Sequence, residues 1–170
     1  RLYKIDTMSQ VIDDTTFIGG YESKHMTMIE NISRLSYSMY LNEEAYNALK
    51  QMYDDLYKNT KKRFLVTSAY KSYDVLNLEE NTSQAGYSEF QLGTSVSLKV
   101  NGIKDVEFVS TDVYQWLLEH SYEYGYVLRY PSDKVTITQK ESCNIFRYVG
   151  KENAQKMHNQ NLCLEELNNQ

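Results

Sequence analysis

The sequence has 170 residues, a length that suits one domain with a buried core and is short for two. Its hydrophobic fraction of 41% and charged fraction of 24% are typical of a globular protein, and no run of about 18 apolar residues offers a membrane span. The net charge of −5, with cations spread among carboxylates, argues against nucleic acid as a partner. We expect one globular domain that makes no membrane contact through this segment.

Residues 1–40 are polar and irregular in pattern, and Gly19-Gly20 marks a turn within them. They predict an N-terminal arm with little regular structure. The sequence starts at Arg1, without Met or a signal-like apolar stretch. We therefore expect a piece of a longer chain whose export signal or membrane anchor lies outside this sequence.

From residue 41 the pattern becomes regular, which predicts a domain over 41–170. Asn42 can cap a helix, and apolar residues recur at helical spacing after it, so a helix is predicted over about 42–58. The short apolar stretch FLVTSA at 64–69 contains β-prone residues and predicts a buried strand.

The second half of the sequence alternates strand and helix patterns. Asn101-Gly102 is a hairpin-type turn, so we expect a strand at 94–100 to pair with one at 106–109. Ser110 or Thr111 then caps a helix. Elements mixed in this way, with short links, predict an α+β domain in which helices flank a small antiparallel sheet. The remaining predicted elements are strands at 126–130 and 144–149 and a helix from residue 151 to about 159.

Four stretches carry the residues of a family pattern: LVTSAYKSY at 65–73, GYSEFQLGTSVSL at 86–98, WLLEHSYEYGYVLRYP at 116–131 and FRYVGKENAQKMHNQNLCLEEL at 146–167. In this order they resemble the D-alanyl-D-alanine carboxypeptidase family of zinc peptidases, which trims peptidoglycan stem peptides. The resemblance covers roughly residues 41–167 and implies that family's hedgehog/DD-peptidase-like fold.

The resemblance also shows which positions of the zinc site have changed. The family pattern is Ser-Glu-His-Gln-x-Gly-x-x-x-Asp, whose His and Asp bind zinc, followed later by Glu-Pro-Trp-His, which supplies the general base and the third ligand. Here Phe90 and Ser97 stand at the first two ligand positions, Ser142 at the base and Ile145 at the last ligand. Carbon side chains have no lone pair for a metal, and a serine hydroxyl is a poor zinc ligand. The prediction is no catalytic residue set, no metal site and no cofactor.

Other metal-binding or nucleophilic residues offer no replacement. His25, His120 and His158 are scattered without metal-ligand spacing, and we expect structural or surface roles for them. Cys143 has no histidine beside it in sequence to activate it as a nucleophile. The separation of Cys143 and Cys163 permits a disulfide without requiring one.

The resemblance implies a substrate groove that is altered but not erased. The family's Ser-x-Tyr-Arg-Ser segment grips the substrate carboxylate with Arg, and Lys71 stands there, which replaces a bidentate contact with a point charge. Leu76 replaces a Gln, and the connection from it to Gly86 is shorter than in the family, which would trim one groove wall. Each remaining polar position could instead serve the scaffold. The predicted ligand-binding residues are Ser68, Tyr70, Lys71, Ser88, Gln91 and Arg147.

These observations predict a catalytically inactive module, extracytoplasmic at a bacterial cell envelope. Two partners fit it: another cell-envelope protein, or a peptidoglycan stem peptide held in the remnant groove. The protein partner is preferred, because Leu76 and the shortened wall weaken ligand capture without damaging an outer surface. The alternative is a residual D-Ala-D-Ala carboxypeptidase that uses an unrecognised ligand set.

Overall fold

The structure is a computed structural model that describes residues 5–79 and 85–170. The strands are β1 (Met26–Met28), β2 (Tyr40–Asn42), β3 (Leu65–Ser68), β4 (Ser95–Lys99), β5 (Tyr126–Tyr130) and β6 (Ser142–Tyr148). The α-helices are α1 (Glu43–Thr60), α2 (Tyr73–Leu78), α3 (Asp105–Phe108), α4 (Asp112–His120), α5 (Val135–Thr138), α6 (Lys151–Gln160) and α7 (Leu164–Asn168). Short 3₁₀ turns lie at Glu89–Leu92, Ser121–Tyr124 and Ser132–Lys134.

A four-stranded antiparallel sheet in the order β3-β4-β6-β5 forms the centre of the fold. Strand β4 pairs with β6 so that Ser95 faces Arg147 and Ser97 faces Ile145 across the ladder. The strands β1 and β2 form a separate antiparallel pair. The predicted α+β architecture, with helices around a small antiparallel sheet, is confirmed.

The long helix α1 forms where the sequence predicts a helix. The Asn42 side chain accepts a hydrogen bond from the Ala45 backbone N–H at 3.2 Å, which satisfies a donor at the helix start. Leu49 and Leu56, one face of the helix, are fully buried in the core with Val96 of the sheet. Burial of each such side chain contributes about 1.5–3 kcal/mol to folding.

The predicted strand at 106–109 is wrong, because this stretch forms α3. Both edges of β4 are already occupied, by β3 on one side and β6 on the other, so no hairpin partner can be added. The Glu107 carboxylate accepts a hydrogen bond from the Lys104 backbone N–H, which closes the helix start. Phe108 is fully buried whereas Val106 is 81% exposed, so the apolar residues do not line one sheet face.

The N-terminal arm is packed against the domain. Its strand β1 pairs with β2, and Ile29, just after it, is fully buried in the main core. Arg34 forms an isolated parallel bridge to Val66 of β3, and Ile12 is 1% exposed. The division at residue 40 stays a prediction, yet the two predicted units share one core.

The helix α4 starts at a predicted cap. Thr111, one of the two predicted caps, accepts a hydrogen bond from the Tyr114 backbone N–H at the start of α4. No helix among residues 5–79 and 85–170 is long and apolar enough to cross a membrane.

Candidate functional site

Four positions predicted to be degenerate meet at one cavity of about 390 Å³, here called the cleft. Strands β4 and β6 bring Ser97 and Ile145 opposite each other, and Ser142 lies at the start of β6. Phe90 reaches the same cleft from the 3₁₀ turn Glu89–Leu92. The other lining residues are Leu35, Thr67, Ser68, Lys99, Asp105 and Asn144.

Local hydrogen bonds hold Phe90 at the cleft. The Ser88 hydroxyl accepts from the Phe90 backbone N–H at 3.2 Å and so starts the turn. Gly93 ends it with a φ of 78°, in the left-handed region that favours glycine. The Phe90 carbonyl accepts from the Lys71 backbone N–H at 3.2 Å, which ties the turn to the segment after β3.

The side chains in the cleft do not fit a zinc ion. Phe90 and Ile145 offer no lone pair, and the hydroxyls of Ser97 and Ser142 are neutral oxygen ligands, whereas zinc sites in proteins use imidazole, thiolate and carboxylate. Asp105 is the one carboxylate among the described lining residues, and a single carboxylate does not make a zinc site. Within the part of the chain that the structure describes, no three His, Cys, Asp or Glu residues are grouped so that they could hold a metal ion.

The histidines of the second half occupy other places. The His120 ring lies 4.9 Å from the Trp116 ring, centroid to centroid. His158 stacks on Tyr122 with centroids 3.7 Å apart. Neither is among the lining residues of the cleft. Their aromatic contacts are those of residues with packing roles.

The cysteines are both free thiols. Burial raises the pKa of Cys143, and the nearby carboxylates of Asp105 and Glu141 raise it further. A nucleophilic cysteine needs the opposite shift, because the thiolate is the reactive form. Cys143 is therefore poorly suited to covalent catalysis.

A second group of side chains includes Glu89, the residue next to Phe90. We call it the buried ion cluster, and its members are Glu89, Ser95, Arg129, Arg147 and Glu165. Arg147 Nη1 donates to Glu89 Oε1 at 2.7 Å, and Ser95 Oγ donates to the same oxygen at 3.0 Å. Arg129 Nε lies 3.2 Å from Glu89 Oε2 and its Nη2 lies 2.6 Å from Glu165 Oε1. Burial disfavours the charged form of Glu89, but Arg147 and Arg129 outweigh it and hold the pKa of Glu89 below its usual range.

Arg147 also fastens the N-terminal arm to the cluster. Its Nη2 donates to the Thr7 carbonyl at 2.9 Å and to the Gln10 carbonyl at 3.0 Å. The residue is fully buried. The guanidinium of this predicted ligand-binding residue is therefore hydrogen-bonded to Glu89 and to the arm backbone.

Two more predicted ligand-binding residues act inside the scaffold. The Gln91 side chain accepts from the Gly86 N–H at 2.8 Å and donates to the carbonyls of Gly19 and Tyr21 at 2.8 and 3.0 Å. Ser88 is 2% exposed and starts the Phe90 turn. A role in ligand binding for these residues stays a prediction, and their hydrogen bonds describe a local support.

Of the last three predicted ligand-binding residues, only one lines the cleft. Ser68, at the end of β3, is among the lining residues of the cleft. Tyr70 is half-buried, and burial raises the pKa of its hydroxyl. Lys71 Nζ lies 3.0 Å from Glu79 Oε2 and 5.8 Å from the Phe90 ring centroid. The predicted shortening of the groove wall falls partly on residues 80–84, which lie outside the described residues.

Sequence reasoning missed four polar lining residues, Thr67, Lys99, Asp105 and Asn144. For Lys99 a signal was present, since Ser97 and Lys99 are two apart in a strand and so share a face. Asp105 directly precedes the stretch 106–109 mistaken for a strand, which hid its position at the start of α3.

Comparisons with known proteins agree on one family. The pattern of the family VanY, D-alanyl-D-alanine carboxypeptidase, matches residues 75–151. A D-alanyl-D-alanine carboxypeptidase of Enterococcus faecium is 32% identical over 152 residues, which cover 85% of this chain and 49% of that protein. A protein of that same description from Enterococcus faecalis is 45% identical over 86 residues, which cover 49% of this chain and 31% of that protein. The chain thus spans half or less of the length of these two relatives.

Solved structures show the same fold. The LdcB LD-carboxypeptidase, whose structure concerns peptidoglycan recognition, superimposes with a TM-score of 0.83 at 28% identity, covering 93% of this chain and 84% of that one. VanYB in complex with D-alanine-D-alanine gives a TM-score of 0.76 at 26% identity, covering 96% of this chain and 98% of that one. The fold is that of a peptidase-like α+β domain. The chain belongs to the D-alanyl-D-alanine carboxypeptidase family, as its four motifs predict.

Proposed function

We propose that this chain is a catalytically inactive carboxypeptidase-like module that binds a peptidoglycan stem peptide in the cleft without cleaving it. One observation carries the proposal: Phe90, Ser97, Ser142 and Ile145 line a single open cavity, so the binding space persists while its side chains cannot assemble a zinc site. The module is proposed to act at the cell envelope, outside the cytoplasm.

The proposed lack of hydrolysis follows from the groups at the cleft. Amide hydrolysis of this kind needs an activated water and a base beside it. Ser142 stands where the family has its base, and a serine hydroxyl does not accept a proton at neutral pH without a partner that activates it. Glu141, the adjacent carboxylate in sequence, is not among the lining residues of the cleft and lines a neighbouring cavity of about 300 Å³ that shares Ser142 with it. Asp105 does line the cleft, but a carboxylate without a metal-bound water beside it has no activated nucleophile to deprotonate.

The proposed binding rests on the size and lining of the cleft. A volume of about 390 Å³ lies in the range of about 300–1,000 Å³ in which proteins hold small ligands. Among proteins with this fold, VanYB has a solved structure in complex with D-alanine-D-alanine, and the LdcB structure concerns peptidoglycan recognition. Leu76, whose substitution favoured a protein partner over a peptide, is 3% exposed and is not a lining residue. Loss of the family's Gln there is therefore no obstacle to a peptide in the cleft.

Metal analysis and product release test the inactivity. After zinc is added and excess removed, we expect the purified protein to hold far less than one zinc per chain and to release no D-alanine from a synthetic pentapeptide ending in D-Ala-D-Ala. One zinc per chain, together with D-alanine release that a chelator abolishes, would establish the alternative of a residual carboxypeptidase.

Calorimetric titration with the same pentapeptide tests the binding. Saturable binding with one site per chain is expected. A flat titration would remove the peptide from the proposal and leave a cell-envelope protein as the predicted partner.

A further inference from the structure

We infer that Lys99 is the anion-binding residue of the cleft and that it holds the terminal carboxylate of the bound peptide. The inference rests on the proposed function and names the group that recognises the ligand. It differs from the sequence-based prediction, which gives this role to Lys71.

The backbone of β4 directs Lys99 to the cleft. Alternate residues of a strand share a face, and Ser97 and Lys99 both line the cavity. Lys99 is half-buried, so part of the residue packs against its neighbours at the cleft. Among residues 5–79 and 85–170, no carboxylate oxygen lies within 4.0 Å of the Lys99 ammonium. Within the described residues Lys99 thus brings to the cleft a positive charge without an ion pair, in a lining that also contains the Asp105 carboxylate.

Lys71 is placed differently. Its ammonium lies 3.0 Å from the Glu79 carboxylate, and the residue is not among those that line the cleft. An incoming carboxylate would have to displace Glu79 before it could pair with Lys71. Asp105 also lines the cleft, but among residues 5–79 and 85–170 no carboxylate oxygen lies within 4.0 Å of the Lys99 ammonium. An incoming carboxylate therefore has no ion pair to displace at Lys99, which makes it the stronger anion site.

The other lining groups complete a site for the end of a short peptide. The hydroxyls of Ser68, Ser97 and Ser142 can donate hydrogen bonds to carboxylate or amide oxygens. Phe90 and Ile145 offer apolar surface for small aliphatic side chains. A lysine ammonium therefore provides the positive charge in a cleft that lacks zinc ligands, and an anion with a short apolar body fits it.

Calorimetry with two probes and three variants tests this assignment. The probes are the pentapeptide ending in D-Ala-D-Ala as the free acid and as the C-terminal amide. For the free acid we expect Lys99→Met to raise the Kd about tenfold to a hundredfold, the range for loss of one hydrogen bond to a charged group. The unaltered protein should bind the amide with a Kd higher than that of the free acid by a similar factor. The Lys99→Met variant should bind the acid and the amide with the same Kd.

Matched variants separate the outcomes. Lys71→Met is the control and should change the Kd of the free acid by less than about threefold, as a group outside the cleft should. Lys99→Arg keeps the charge and should keep the preference for the acid. Urea unfolding of each variant checks that the fold is intact.

Each result has a distinct meaning. Binding of the acid that survives Lys99→Met, or that is lost in Lys71→Met alone, overturns the role of Lys99 and leaves the binding module standing. Absence of binding by the unaltered protein overturns both proposals. Release of D-alanine overturns the inactive module, while an acid preference that depends on Lys99 would still support the carboxylate site.

Discussion

Glu89 and Phe90 are neighbours in one 3₁₀ turn, yet they belong to two regions with opposite chemistry. Glu89 enters the buried ion cluster, where it meets two guanidiniums and a hydroxyl. Phe90 enters the cleft, at the position where the resemblance predicts the zinc-binding imidazole of the family pattern. One residue of the turn therefore supports the fold through charge, and its neighbour brings an apolar ring to the predicted metal position.

The difference teaches that the scaffold of the site does not depend on the metal chemistry. In the buried ion cluster, removal of one partner leaves a buried charge without compensation, which is strongly unfavourable. In the cleft, a change from a polar to an apolar side chain alters a surface that water can reach, so it leaves no buried charge without a partner. The two regions should therefore respond very differently to substitution.

The largest expected effect comes from rebuilding the ligand set. Because Ser97 and Ile145 are cross-strand partners and share the cleft with Phe90, the triple change Phe90→His, Ser97→Asp and Ile145→His should create a zinc site. The zinc content measured by metal analysis should rise from near zero to about one zinc per chain, the stoichiometry of such a site. The control variant Phe90→Gln, Ser97→Asp and Ile145→Gln should bind no zinc. Zinc binding by the unaltered protein would contradict the contrast between the cleft and the buried ion cluster.

Next in size is the removal of Glu89. Glu89→Ala leaves Arg129 and Arg147 buried with less compensation and should lower the free energy of unfolding by about 3–5 kcal/mol. Urea denaturation at neutral pH measures the loss. Glu119→Ala, at a side chain that is 70% exposed, should change it by less than about 0.5 kcal/mol. A loss below about 1 kcal/mol for Glu89→Ala would mean that the cluster contributes no more than a surface ion pair.

Acid should weaken the same cluster in a defined direction. Burial opposes the charge on Glu89, but the two arginines hold its pKa in the folded chain below the ordinary value of 4.5. Its stabilisation is therefore fully present above about pH 4.5 and is lost as the pH falls through the folded-state pKa. Urea unfolding between neutral and acidic pH should show a steeper loss for the unaltered protein than for Glu89→Gln. Equal slopes would contradict this linkage.

The smallest effect is expected in the cleft itself. Phe90 is half-buried, so Phe90→Ala should cost about 1 kcal/mol, below the range for a ring fully enclosed in a core. Phe108→Ala, at a fully buried ring, is the matched comparison and should cost about 3–5 kcal/mol. A larger cost at Phe90 than at Phe108 would show that the cleft is part of the packed core.

Elements with strong local signals were predictable from the sequence. The cap at Asn42 and the helical spacing through Leu56 gave α1 to within two residues at each end. Alternation gave β4, whose residues Ser97 and Lys99 line the cleft. Residues 106–109 gave the wrong element, because their apolar residues fit a strand and a helix equally and only the occupied edges of β4 decide between them.

The site was predictable only where a motif carries it. The resemblance predicted the four degenerate positions, and the structure brings all four to one cavity. The bond between Arg147 and the Thr7 carbonyl joins residues 140 positions apart, and no local pattern predicts such a contact. Burial of Ile29 likewise depends on the pairing of β1 with β2 and on helix α1 above it.

The grip of Arg147 on the arm has a mechanical consequence. Strand β6 lies between β4 and β5, so it is held by hydrogen bonds on both sides. A tension applied to the chain ahead of Thr7 would reach the sheet through the Thr7 carbonyl, which accepts hydrogen bonds from Arg147 in β6 and from Thr94 just before β4. Strand β6 would have to shear its two ladders before it yields. The load would arrive on the same strand that carries Ile145 at the cleft.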